Sequence, residues 1–282
     1  MSVVFVHGGV AGVVKPQRVS LAAGVARGEA HERALDAVEH AVIALEDHPE
    51  LNAGYGAVLN LAGAVELDAG ISDGATGRAG GVGNVTVRNP ISLARKVLEE
   101  TPHVLITGAG AIALGAGMEL VERAPAEVAR WEEARAQGRL EVERFGDPVE
   151  VDTVGAVAVD GAGGLAAASS TGGVFGKMPG RMGDSAVFGA GHYASKAAAV
   201  VGTGVGEMFL ETLACARAGM LIEAGAHPQS ACEDVVRLLG RRAPLPAGLL
   251  AVDRAGRHGA AYRGGSWDVE GPDGPVEAAR VE

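Results

Sequence analysis

Apolar positions along this chain fall into short runs separated by glycines, and the runs change character from one end to the other. Ser2 to Val6 reads as a buried strand ending in His7-Gly8-Gly9, where glycine permits a turn closed to larger residues. From Ala30 to Glu46, Leu35, Val38, Val42 and Leu45 share one helical face while Glu32, Arg33, Asp36 and Glu39 lie elsewhere. That spacing predicts an amphipathic helix, closed by Pro49. Between Asn52 and Asp73, the runs 58–63 and 64–69 predict two strands joined by a tight turn. Asn89 as N-cap and Pro90 at the first helical position predict another helix start. His103 to Thr107 predicts a further strand.

From about residue 119 to 152 the pattern gives way to polar and charged residues, which predicts a surface linker. At Thr153 near-continuous apolar runs return. Residues 153–159 and 165–173, reversed around Asp160–Gly164, predict a hairpin buried on both faces. Helices are predicted at Glu207–Ala218 and Gln229–Leu239, followed by strands at 249–253 and 258–264. Strand groups alternating with helix groups predict an α+β fold, two sheets between two helical layers, in one domain covering 1–282.

Composition narrows the function classes. With 48% hydrophobic residues but only two Trp, three Tyr and five Phe, the core must be Ala, Val and Leu in closely spaced layers. The 44 glycines follow no collagen-like period and read as turns and close backbone approaches. A formal charge of -11 with scattered basic residues argues against a nucleic-acid partner. Cys215 and Cys232 have neither disulfide nor zinc-ligand spacing and read as buried free thiols. The opening residues lack a signal-peptide pattern and no apolar stretch is long enough to span a bilayer, so the expectation is a soluble, cytoplasmic protein with no membrane partner.

The chemistry centres on a threonine at the head of a buried strand, directly after the linker. A threonine hydroxyl is a weak nucleophile until a base takes its proton, and a free α-amine on the same residue can be that base. Thr153 is internal, so such an enzyme must first break the bond between Asp152 and Thr153. Taken alone, Thr153 reads as an ordinary strand residue.

The surrounding residues carry a resemblance. The stretch 152–194, DTVGAVAVDGAGGLAAASSTGGVFGKMPGRMGDSAVFGAGHYA, is similar to the nucleophile region of the plant-type asparaginase and isoaspartyl peptidase family, which also includes glycosylasparaginase. The resemblance extends through HGG, LNAGYGAVLN, VELDAGISDG, NPISLARKVLEETPHVLITGAGA and GTGVGEMF, most of the chain except the linker and the tail. Asp152 stands where many members have Gly, and STGG stands where glycosylasparaginase has STNG.

The resemblance implies an N-terminal-nucleophile hydrolase with a four-layer αββα sandwich, cut into 1–152 and 153–282. It implies Thr153 as nucleophile and base, Thr171 beside it, and Thr203 and Gly204 as donors to the oxyanion, with Asn52 supporting the same site. Arg181 and Asp184 would clamp the carboxylate and ammonium of an aspartyl group, with Gly204 and Gly206 completing the substrate-binding set. It further implies hydrolysis of L-asparagine or β-aspartyl dipeptides through a β-aspartyl ester on Thr153. No cofactor is required. A sodium ion could bind the main-chain carbonyls of Leu45, Glu46, His48, Leu51, Ala53 and Tyr55, and the assembly would be a homodimer of cleaved protomers.

Other readings remain open on the sequence. Arg181 and Asp184 also fit an i, i+3 surface pair, Thr203 also fits a helix cap, and His7 fits a structural hydrogen-bonding residue. VLITGAGAIA matches a strand followed by GxGxxA, the dinucleotide fingerprint, although the acidic residue required about 20 residues further on would fall in the charged linker. An uncut binding protein that kept the fold is the remaining alternative.

Overall fold

Residues on alternate sides of a strand bury against different layers, and the two strands after the linker show it directly. Val154, Ala156 and Ala158 pack into one apolar cluster while Val157 and Val159 pack into another. In the facing strand, Ala166 and Ala168 join the first cluster, Leu165 and Ala167 the second. This hairpin therefore lies inside the molecule with both faces covered, as its unbroken apolar runs predict.

The computed structural model describes residues 1–10, 18–140 and 153–282. The first half contains β1 (Val3–His7), α1 (Arg18–Glu29), α2 (Ala34–Glu46), β2 (Leu67–Asp73), β3 (Arg78–Val85), α3 (Pro90–Glu100), β4 (Leu105–Thr107), α4 (Gly108–Leu114) and α5 (Pro125–Ala136). The second begins with β5 (Val154–Val159), β6 (Leu165–Thr171), β7 (His192–Ala194) and β8 (Ala198–Gly204), then α6 (Gly206–Thr212), α7 (Ala214–Glu223) and α8 (Pro228–Arg242). It closes with β9 (Ala247–Asp253), β10 (His258–Arg263), β11 (Val269–Gly271), β12 (Gly274–Pro275) and β13 (Ala279–Arg280).

One sheet has the order β12-β11-β1-β5-β6-β2-β3-β4 and the other β13-β10-β9-β8-β7. β5 and β6 face β8 and β9 across the sheet interface; α2 and α3 cover the outside of the first sheet, α7 and α8 the outside of the second. This is the four-layer αββα sandwich. Nearly all core residues are Ala, Val or Leu, and Cys215 and Cys232 are buried free thiols within it.

Several elements differ from the sequence expectation. Residues 58–63 form a turn, because Asn60 Oδ1 accepts from the backbone N–H groups of Ala62 and Ala64, an arrangement that competes with strand pairing. Asn89 does not cap α3 with its side chain; its Nδ2 donates to Glu46 Oε2 at 3.1 Å. The helix expected over 207–218 breaks at Leu213 (φ 50°), and the N–H groups of Cys215 and Ala216 turn to the carbonyls of Ala190 and Gly189. α1 arises where no helix was expected.

Within the stretch read as a linker, α5 is an ordered helix. Its Trp131 Nε1 donates to Asn60 O at 2.9 Å, and Arg130 lies 4.1 Å over the Phe175 ring. The expected cleavage residue Asp152 lies outside the described residues. The GxGxxA segment is a three-residue edge strand leading into a seven-residue helix, and β4 pairs only with β3, so no dinucleotide-binding βαβ unit forms around it. Among the described residues no helix is long and apolar enough to cross a membrane.

Candidate active site

Thr153 sits at the head of β5 and Thr171 at the end of β6, directly across the ladder whose adjacent pair is Val154 and Ser170. Both belong to the strand face turned toward the second sheet. Their hydroxyls are hydrogen-bonded at 3.2 Å, and Gly173 N–H donates to Thr171 Oγ1 at 3.0 Å. Both side chains are almost fully buried. The neighbouring Ser170 points the opposite way and donates to Glu46 Oε1 at 2.6 Å, anchoring the end of β6 to α2.

A narrow cleft of about 10 Å³ opens beside this pair, lined by Thr153, Thr171, Gly173, Val174, Arg181, Asp184, Gly204 and Gly206. Two larger surface grooves among the described residues, one beside α5 and one beside β11 and β12, bring no nucleophile together with a charged pair.

The two charged residues are held from below. Asp68 of β2, fully buried, accepts from Gly183 N–H at 2.9 Å and lies 3.9 Å from Lys177 Nζ, while Lys177 donates to Glu66 O at 2.8 Å. Burial pushes Lys177 down against the attraction of Asp68, and pushes Asp68 up against Lys177 and its backbone donors. These contacts fix the loop that carries Arg181 and Asp184.

Asp184 is buried, and burial pushes its carboxyl up to about 7, more than the nearby Arg181 can offset. Its Oδ2 has no hydrogen-bond partner. A buried carboxylate oxygen left unsatisfied is costly, and the residue that carries it is part of the cleft wall. Arg181 donates through Nε and Nη2 to Glu207 at 3.0 and 2.8 Å. Burial would raise Glu207, yet the hydrogen bonds and charge of Arg181 hold it below its ordinary range.

The glycines are there for space. A Cβ on Gly206 would stand 2.8 Å from Asp184 Oδ1 and 3.0 Å from Arg181 Nη2, so any side chain would displace both. Gly204 adopts φ +151°, and a Cβ there would meet the Phe209 ring and Pro246 O at 2.8 Å.

Of the residues singled out from sequence, Thr153, Thr171, Arg181, Asp184, Gly204 and Gly206 share the cleft wall. Asn52 stands behind it: its Nδ2 donates to Gly173 O at 2.7 Å, and its own carbonyl accepts from Gly172 N–H at 2.9 Å. Thr203 is fully buried next to Gly204, its Oγ1 accepting from Val10 N–H at 3.4 Å, and it does not line the cleft. His7 is buried, with Nδ1 2.8 Å from Gly8 O, and burial holds it near 4, so it is uncharged at neutral pH. Glu207 was not read from the sequence. Its only signal was its place in GTGVGEMF, where it looked like an ordinary acidic residue in a helix's first turn.

The loop between α2 and β2 turns carbonyls inward. A Cβ on Gly56 would lie 2.2, 2.8 and 2.9 Å from the carbonyl oxygens of Leu51, Pro49 and His48, and one on Gly54 would lie 2.5 Å from Glu46 O. Such crowded oxygens fit a hard cation.

A family model described as Asparaginase matches residues 7–266. The isoaspartyl peptidase of Salmonella typhimurium is 45% identical over 246 residues, covering 81% of this chain and 77% of its own. The isoaspartyl peptidase of Escherichia coli is 40% identical over 286 residues (90% and 88%), and the plant-type L-asparaginase of Pyrococcus furiosus 40% identical over 283 residues (92% of each). With the match running from the end of β1 to beyond β10, through every residue of the cleft, this chain belongs to the asparaginase family.

Proposed function

We propose that this protein is a threonine amidohydrolase that releases L-aspartate from L-asparagine and from β-aspartyl dipeptides. The observation that carries the reading is one small cleft holding a hydrogen-bonded threonine pair together with an arginine and an unpartnered buried carboxylate. The names of the relatives, isoaspartyl peptidase and plant-type L-asparaginase, point the same way.

In this mechanism the chain is first cut between Asp152 and Thr153, which frees the Thr153 amine. Arg181 binds the substrate α-carboxylate and Asp184 its α-ammonium, leaving the side-chain carbonyl against Thr153. The amine takes the hydroxyl proton, and Oγ1 attacks the carbonyl carbon with Thr171 holding it in line. The oxyanion is stabilised by the Gly204 N–H in the cleft wall, with Thr203 buried behind it and fixing that backbone; stabilisation of this kind usually supplies the largest part of the rate enhancement in acyl transfer. Collapse passes the proton to the leaving ammonia or amino acid and leaves a β-aspartyl ester. Water, activated by the same amine, then releases aspartate and regenerates Thr153.

A sodium ion held by the carbonyls of His48 and Leu51, with those of Leu45 and Glu46 at the end of α2 and of Ala53 and Tyr55 further along the loop, would stiffen the segment that carries Asn52. The processed protomers would pair as a homodimer, for which the exposed Leu105 and Ile112 at the β4–α4 edge offer apolar surface.

The test is release of ammonia and aspartate by wild type, Thr153→Ala and Arg181→Ala. Thr153→Ala is expected to lose both cutting and turnover. Arg181→Ala should still be cut, with kcat/KM lower by roughly a hundredfold or more. Normal asparagine turnover in either variant would sink the assignment.

A further inference from the structure

A guanidinium presents two hydrogen-bonding edges, a side edge of Nε with one Nη and an end edge of both Nη groups. The side edge of Arg181 is taken, both of its donors going to the two oxygens of Glu207. The other amino group, Nη1, sits 3.3 Å and 3.1 Å from the positions a Cβ would occupy on Gly173 and Gly183, and Gly173 is part of the cleft wall. Glu207 is not in the wall and grips Arg181 from outside, with its side chain 42% exposed.

Asp184 stands beside Arg181 in the same cleft, yet no ion pair forms between them, and Asp184 Oδ2 stays unpartnered. An arginine with nothing on its side edge would swing to the nearest carboxylate. The clamp would then close on itself and hide both hooks from a ligand.

We propose that Glu207 is a positioning residue for substrate recognition, holding the side edge of Arg181 so that its end edge meets the substrate α-carboxylate and Asp184 stays open for the ammonium. The inference rests on the function proposed above. An ordinary exposed ion pair, the competing role, contributes little and touches only stability.

The test compares wild type with Glu207→Gln, close in shape but uncharged, and Glu207→Asp, charged but shorter, on L-asparagine and a β-aspartyl dipeptide. For Glu207→Gln, KM is expected to rise about tenfold with kcat within about twofold. Cutting before Thr153 and the melting temperature should be unchanged, and Glu207→Asp should fall between. The Glu207 charge also raises Asp184, so the acid limb of kcat/KM should move to lower pH in Glu207→Gln; the Thr153 amine is common to both proteins and cancels. An unmoved KM and pH profile, or a fall in kcat alone, would overturn the inference while leaving the function intact. Should Glu207→Gln fail to fold, the KM of Glu207→Asp decides in the same way. Wild-type protein inactive on both substrates would overturn the function and this inference together.

Discussion

In the function proposed above, the charge of Asp184 sets how strongly the cleft holds a substrate ammonium. Burial pushes its carboxyl up to about 7, so below that pH the free enzyme holds a neutral acid, a weaker acceptor with no charge to pair with an ammonium. Because kcat/KM reports the free enzyme, it is expected to rise with pH through about 7. The control is Asp184→Asn, which keeps the Thr153 amine but cannot ionise: its acid limb should retain only the contribution of the amine. Identical limbs in the two proteins would show that Asp184 does not titrate in binding. At this scale the sequence was informative wherever a motif fixes a side chain next to a glycine. GRMGD placed Arg181 and Asp184 correctly in a loop because the glycines forbid a helix there. Glu207 escaped notice because its partner is 26 residues away, and no local spacing encodes that meeting. The same is true of Asp68, which holds the loop from β2 and meets Lys177 of that same loop.

Among the elements, the end of β6 is tied to the helical layer through Glu46. That carboxylate accepts from Ser170 Oγ, from Ile91 N–H at 3.1 Å and from Asn89 Nδ2, so it joins β6, the C-terminus of α2 and the start of α3. Removing it strands three donors, two of them buried. Glu46→Ala is expected to destabilise the fold by roughly 2–4 kcal/mol, measured by urea unfolding, and to loosen Thr171, the residue after Ser170. A loss under about 0.5 kcal/mol would mean that water replaces the carboxylate at no cost. The β5–β6 hairpin was legible because two buried faces demand unbroken apolar runs. α5 was not, since its helix is mostly polar and docks by few side chains, Val128 and Trp131 against the first apolar cluster and Arg130 over the Phe175 ring. The break at Leu213 was also hidden: its cause is a pair of loop carbonyls at 189 and 190, not anything in the local pattern.

For the whole molecule, the strand order explains how a cut chain could keep its shape. β5, the first strand after the proposed cut, lies between β1 of the first half and β6 of the second, while β6 pairs in turn with β2. The two halves are therefore interleaved through the middle of one sheet, and separating them would expose backbone donors and both apolar clusters. Layer number and fold class were readable from the alternation of strand and helix groups. The order of strands within each sheet was not, because it depends on pairings between residues more than a hundred positions apart, such as Val6 with Ala156. The same topology puts the Thr153 amine, once free, inside the cleft and not at a loose end.

The central claim is that Thr153 becomes a chain terminus, and the most direct measurement is the intact mass of the purified protein after prolonged incubation, read under denaturing conditions. Two chains are expected, about 15 and about 13 kDa when 28.3 kDa is apportioned over residues 1–152 and 153–282, the second beginning at Thr153. A single chain of 28.3 kDa that persists while asparagine is turned over would contradict it.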